Sequence, residues 1–270
     1  MKVLVSGSAG FLMSNFIRYM MYRSKDFEFV SFDSLDSPEN HKLVYVNRNH
    51  KFYIGDATDK HFLDRLISIE KPDVIINGID NVFSLDNVCK YNKAIELLSS
   101  YKIPMIQLSL PDGTKYSSFY RLNNHMVSKN GLVIELPNCF GWRQKTQYGF
   151  AKIIKNVITN NFTEVNPIQM PWVFGEDVAS FIWFAIESNL KGTVKMPVLG
   201  RASIEQMKDI IIQELGIKEI IILPTFYVWD NQIVDFKGDK TKWVPDSSNL
   251  DEAFRKTIRW YIANQWMLKY

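Results

Sequence analysis

Cysteine is scarce in this chain of 270 residues, with only Cys89 and Cys139. Two cysteines make neither a disulfide framework nor a zinc-ligand spacing, so the core must hold the fold and a reducing compartment is expected. Histidine is equally thin: His41, His50, His61 and His125 show no ligand spacing, read as surface residues, and lead to no expected metal site. Excess charge of one sign is also missing. The 32 basic and 29 acidic residues leave +3, without the clustered stripe of a nucleic-acid surface. No apolar run reaches the length of a membrane span, and the Met1–Val5 start meets Gly7 too soon for a signal-peptide core. Nucleic-acid and membrane partners are therefore not expected, and a cytoplasmic location is.

What the chain does have is 46% hydrophobic residues, placed in a rhythm. A chain this long can bury about 75% of its unfolded surface. Apolar runs at Val3–Ser6, Phe27–Phe32, Phe52–Ile54, Val74–Asn77, Met105–Ser109 and Leu132–Leu136 are mostly continuous, as strands buried on both faces should be. Between them, Phe11–Tyr22, Phe62–Ile69 and Val88–Leu98 space their apolar residues by three and four, with Asp59 placed to cap the second. Strand, helix, strand in repetition predicts a Rossmann-like, doubly wound parallel sheet of the α/β class. From about residue 145 the pattern reads as helices joined by loops: Phe150–Ile158, Val178–Ile186, Ile204–Leu215 and Leu250–Trp266. The Pro167–Pro171 stretch suggests a boundary, giving a dinucleotide-binding domain over 1–165 and a smaller, mostly helical substrate domain over 166–270, with room for the chain to cross back.

Gly7-Ser8-Ala9-Gly10-Phe11-Leu12-Met13 follows the first strand and opens the first helix, the setting of a dinucleotide fingerprint. Gly7 permits the turn, Gly10 lets the backbone approach a pyrophosphate, and the amides at the helix start face the anion. Met13 stands at the third glycine position, where weaker affinity is expected. Asp33 closes the second strand, placed to accept from ribose hydroxyls and to repel a 2′-phosphate, which favours NAD over NADP.

Together with Gly55-Asp56-Ala57-Thr58-Asp59, Lys71-Pro72-Asp73-Val74-Ile75, Asn92 and Leu97-Leu98, this motif resembles the extended short-chain dehydrogenases. Trp172 to Ala179, Asp239 to Pro245 and Thr257 to Trp266 resemble the nucleotide-sugar 4,6-dehydratase branch of the NAD-dependent epimerase/dehydratase family. The resemblance implies NAD as cofactor, a nucleotide-sugar substrate, and a homodimer through a four-helix bundle built from Asp86–Ser100 and Tyr116–Lys129. It adds Ala9, Phe11, Leu12, Asp56, Ala57 and Asn77 to the cofactor contacts, and Asn138, Arg143 and Arg201 to the substrate side. Its catalytic positions fall on Tyr116, Ser109 and Asp112.

Several of those positions have changed. The family pairs its catalytic tyrosine with a lysine four residues on, because a free tyrosine with a pKa of about 10 is a poor base near neutrality. Here Tyr116 is followed by Tyr120, and Tyr120 by Asn124. The family's Ser-Thr-Asp-Glu corresponds to Ser109-Leu110-Pro111-Asp112, so the dehydration acid becomes a proline. Two expected arginines are Glu135 and Met170, and a loop between Ser109 and Tyr116 is shortened. The reading is an NAD-dependent nucleotide-sugar dehydratase, epimerase or reductase with impaired or altered catalysis. The alternative is a non-catalytic relative that keeps the dinucleotide fold as a scaffold or regulatory subunit. Trp260 and Trp266 read as core or interface anchors, and Met20-Met21 as core filling.

Overall fold

The strands form where the apolar runs lie and the helices where the spacing changes. A computed structural model describes residues 1–23, 27–46, 48–78, 85–111, 117–159, 167–217 and 236–269, with only the backbone described at 85–87 and 117–120. The first half runs β1 (Lys2–Ser6), α1 (Phe11–Arg23), β2 (Glu28–Asp33), α2 (Pro38–Leu43), β3 (His50–Ile54), α3 (Lys60–Glu70), β4 (Val74–Asn77), α4 (Leu85–Ser100), β5 (Met105–Ser109), α5 (Ser117–Asn130) and β6 (Leu132–Glu135). Then follow β7 (Asn138–Phe140), α6 (Gly149–Ile158), β8 (Met170–Phe174), α7 (Gly175–Glu187), β9 (Gly192–Lys195), β10 (Gly200–Ala202), α8 (Ile204–Leu215), α9 (Leu250–Ala263) and a 3-10 helix (Gln265–Lys269).

Seven strands make a sheet in the order β3-β2-β1-β4-β5-β6-β9, and every pairing in it is parallel. Alternation along β1 sends Val3 and Val5 into one core with α1 and α7, and Leu4 into another that includes Leu63 and Leu66 of α3 and Ile95 and Leu98 of α4. Both faces of the sheet are therefore covered, which explains why its strands read as unbroken apolar runs. Asp59 caps α3 as expected, its side chain accepting from the amides of His61 and Phe62.

Past β6 the sequence reading needs correction, because the segment contains strands as well as helices. A second sheet, β10-β8-β7, carries a third core: Phe140, Trp172, Phe174, Phe150 and Phe254 bury almost completely against one another. Phe140 and Phe254 have ring centroids 4.4 Å apart. Within the Pro167–Pro171 stretch, β8 begins at Met170. The chain also crosses back, since β9 extends the first sheet beside β6 and α7 packs along α1.

Candidate active site

The order of the strands reverses between β1 and β4, and the C-terminal ends of these strands open a crevice of the kind in which α/β sheets bind ligands. Gly7 turns the chain out of β1 with φ +65°, and Gly10 closes the turn by donating its amide to the Gly7 carbonyl at 3.0 Å. Such a φ is free to glycine and costly to other residues. The Oγ of Ser8 is buried in this turn without a partner among the described residues. Asp33, at the end of β2, braces the turn from the side. Its Oδ2 accepts from the Ala9 amide at 3.0 Å and its Oδ1 from the Leu35 amide at 2.9 Å. Burial raises its pKa above the usual carboxylate value, an effect that the Leu35 and Ala9 amides, Asn40 and Lys145 oppose. The Gly55 amide donates to the Asp33 carbonyl, which sets Asp56 and the buried Ala57 beside it at the end of β3. Open backbone at the turn, a helix start and a carboxylate at the β2 tip suit a dinucleotide's pyrophosphate and ribose.

A row of buried polar side chains crosses the sheet beneath these strand ends. Ser6, Asn77 and Gln107 stand side by side in register on β1, β4 and β5. The Ser6 hydroxyl donates to Asn77 Oδ1 (2.5 Å), Asn77 Nδ2 to Gln107 Oε1 (2.8 Å), Gln107 Nε2 to the Tyr91 hydroxyl (2.6 Å), and Tyr91 to the Leu108 carbonyl (2.8 Å). All the donors point the same way, so each bond polarises the next. Asn77 is fully buried, and both ends of its amide are taken within this row. Two residues beyond Gln107 on the same face, Ser109 accepts from Asn124 Nδ2 of α5 at 2.7 Å. Asn124 Oδ1 is buried and has no partner among the described residues. Tyr116 and Asp112 lie outside the described residues, as does the Tyr120 side chain.

The residues expected on the substrate side are held by the protein itself. Arg143, at φ +66° and 9% exposed, donates to Asn15 Oδ1 of α1 at 2.7 Å and lies 5.8 Å from the centroid of the Trp260 ring. Burial, and then Arg18, push its pKa down to about 10. Asn15 donates in turn to the carbonyls of Phe11 and Trp142, tying the fingerprint helix to the segment after β7. Asn138 donates to the Pro171 carbonyl from β7, and Arg201, across the small sheet on β10, donates to the carbonyls of Gln169 and Phe236. Met170 is fully buried in the third core. One histidine departs from expectation: His50 is buried in β3 with Nε2 2.6 Å from Ser31 Oγ, and burial lowers its pKa.

Against known proteins, residues 3–83 match the model of the NAD dependent epimerase/dehydratase family. The dTDP-D-glucose 4,6-dehydratase of Mus musculus is 37% identical over 79 residues, which is 28% of this chain and 22% of that protein. The alignment thus spans under a quarter of the mouse protein. A probable dTDP-glucose 4,6-dehydratase of Sinorhizobium fredii aligns over 98% of this chain and 94% of its own length at 20% identity. Among solved structures, the dTDP-glucose 4,6-dehydratase of Bacillus anthracis in complex with NAD superposes with a TM-score of 0.85, covering 100% of this chain and 99% of that one at 19% identity. The UDP-N-acetylglucosamine 4-epimerase of Methanobrevibacter ruminantium, in complex with UDP-N-acetylmuramic acid, reaches 0.81 at 17% identity over 97% of this chain and 98% of its own. At these identities the solved structures establish the shared Rossmann-like fold.

Within the matched segment, Met13 is fully buried, and the room for it comes from Gly78 just past β4. A Cβ built on Gly78 would sit 1.9 Å from Met13 Cγ. Sequence reasoning found the loop and Asp33 but missed Gly78, Asn15, Gln107 and Tyr91. Only Asn124, four residues after Tyr120, left a trace in the motif spacing.

Proposed function

We propose that this chain is an NAD-dependent enzyme acting on a nucleotide-activated sugar, of the dehydratase or epimerase type, with altered catalytic groups. The observation that carries the reading is the Asp33 carboxylate fixed at the tip of β2 by the Ala9 amide of the glycine turn. In this reading Gly7, Ala9, Gly10, Phe11 and Leu12 hold the pyrophosphate, Asp33 takes the adenosine ribose, and Asp56 and Ala57 flank the adenine. Asn77 contributes the floor. NAD, when bound, supplies a hydride acceptor. Ser109 orients a sugar hydroxyl, with Tyr116 and Asp112 as further catalytic groups, and Asn138, Arg143 and Arg201 frame the sugar nucleotide. Residues 1–165 serve the cofactor and 166–270 the substrate, with β9 crossing back. The protein works in the cytoplasm as a homodimer paired through α4 and α5; exposed Leu122 and Met126 on α5 support that pairing.

The test is cofactor preference. A carboxylate at the ribose repels a 2′-phosphate, so NAD(H) should bind at least about tenfold tighter than NADP(H), a difference of about 1.4 kcal/mol. Asp33→Ala should close most of that gap in isothermal titration. Equal affinity of the unaltered protein for the two cofactors would overturn the reading.

A further inference from the structure

Pro111 occupies the place where the family resemblance puts a dehydration acid, and a proline side chain has no proton to give. Tyr116 and Asp112 lie outside the described residues, so a further proton carrier is looked for at the strand ends. Among the described residues, β1, β4, β5 and β6 end in Ser6, Asn77, Ser109 and Glu135. Three of these are neutral at any working pH; the fourth is a carboxylic acid. Asp33, at the end of β2, lies at the opposite end of the crevice, four strand spacings of about 4.8 Å each from Glu135 along the sheet order.

The register locates Glu135 closely. It pairs with Ser109, so the two Cα atoms are separated by one strand spacing and their side chains leave the same face of the sheet. On that face α5 brings Asn124 onto Ser109 at 2.7 Å, with Asn124 Oδ1 buried and without a partner among the described residues. Glu135 is itself 9% exposed; its other register neighbour, Lys195 of β9, is exposed. Hydroxyl and amide thus meet at a corner whose neighbouring register position carries a carboxylate. A polyhydroxylated ligand suits such a corner. One sugar hydroxyl satisfies the Asn124 carbonyl or Ser109, and a neighbouring one reaches the carboxylate.

We propose that Glu135 is a general base and acid of this site, exchanging a proton with a sugar hydroxyl that Ser109 and Asn124 hold. In the forward direction the hydroxyl O–H bond breaks, an O–H bond forms on the Glu135 carboxylate, and the resulting carboxylic acid returns the proton when the reaction reverses. The electron pair of the broken O–H bond stays on the sugar oxygen and would become the second C–O bond of the keto product, the carbinol hydride being given up to NAD, the oxidant of the reading above. The assignment rests on the nucleotide-sugar reading above, and its test separates the two.

Purified protein is titrated with NAD, then incubated with NAD and a panel of dTDP-, UDP- and GDP-sugars, with 4-keto products followed by mass spectrometry. Glu135→Gln keeps the shape and loses the proton site. It should lower turnover by about a hundredfold or more, leaving the melting temperature and the affinities for NAD and the sugar nucleotide within about threefold of the unaltered protein. Glu135→Ala should regain part of its turnover when formate is added, since a small carboxylate can fill the vacated place. A Gln variant with near-normal turnover, loss of NAD binding in step with activity, or no rescue by formate would overturn the assignment. So would an unaltered protein that binds NAD and a sugar nucleotide yet turns over none of the panel. Failure to bind NAD at all would instead sink the underlying reading, and the assignment with it.

Discussion

Met13 and Gly78 show how a departure from a motif can be repaired from a distance. The third glycine of a dinucleotide fingerprint keeps the first helix close to the sheet; here a methionine stands in that place, and the backbone past β4 gives way instead. Gly78→Ala should therefore cost about 1–3 kcal/mol through overpacking of a full core, read as a lower midpoint in urea unfolding. Adding Met13→Ala should recover much of that loss, giving a coupling energy of about 1 kcal/mol or more in a double-mutant cycle. Additive effects would mean the two residues do not share the space. Met13 was legible as an irregularity in the sequence, whereas Gly78 was not, because nothing local marks which glycine faces which side chain across sixty-five positions. The corner at Ser109 was half legible for a similar reason. Ser109 could be read from a strand end, but its neighbour Glu135 emerges only once β5 and β6 are in register.

Elements were legible where one physical signal dominated. Buried parallel strands announce themselves as continuous apolar runs, and Val74–Asn77 and Met105–Ser109 have the expected bounds. The small sheet stayed hidden because β7 and β10 are three residues long and β8 contains Pro171, a residue that argues against a strand in the middle of a sheet. His50 reads as surface until β3 is seen to start there and to bury it against Ser31. Helix α5 presents the opposite case, an exposed apolar pair. Leu122 and Met126 are one turn apart, 71% and 48% exposed, while Val127 faces the core and Asn123 donates to Asn92 of α4. If α4 and α5 pair two copies of the chain, Leu122→Asp with Met126→Asp should convert a dimer to a monomer in light scattering, with little change in secondary structure. A monomeric unaltered protein, or a dimer that survives both charges, would refute that pairing.

At the scale of the molecule, the cores of the two sheets are stitched together by polar ties rather than by one shared apolar mass. Arg143 reaches Asn15, Arg23 and Tyr19 reach Asp246, and the Ser247 amide donates to Asp177 at the start of α7. Asp177 is fully buried, and burial raises its pKa above the usual value. A carboxyl raised in the folded state adds stability below its unfolded pKa of about 4 and loses that contribution as the pH climbs through its folded value. Asp177→Asn should accordingly raise the melting temperature at pH 8, by about 2–4 °C for each kcal/mol relieved, with the gain shrinking toward pH 4.5 in differential scanning fluorimetry. A gain that does not vary with pH would show that the charge is not what the fold resists.

The return of β9 to the first sheet also fixes an order of events during synthesis. A nascent chain emerges N-terminus first, and its units tend to fold as they appear. Here the outer edge of β6 stays bare until residues 192–195 have left the ribosome, by which time β7, α6, β8 and α7 have already been made. An unpaired parallel edge invites association with other chains. The growing polypeptide must therefore shelter that edge through the making of more than fifty further residues, and the small sheet begins to form before the large one can close.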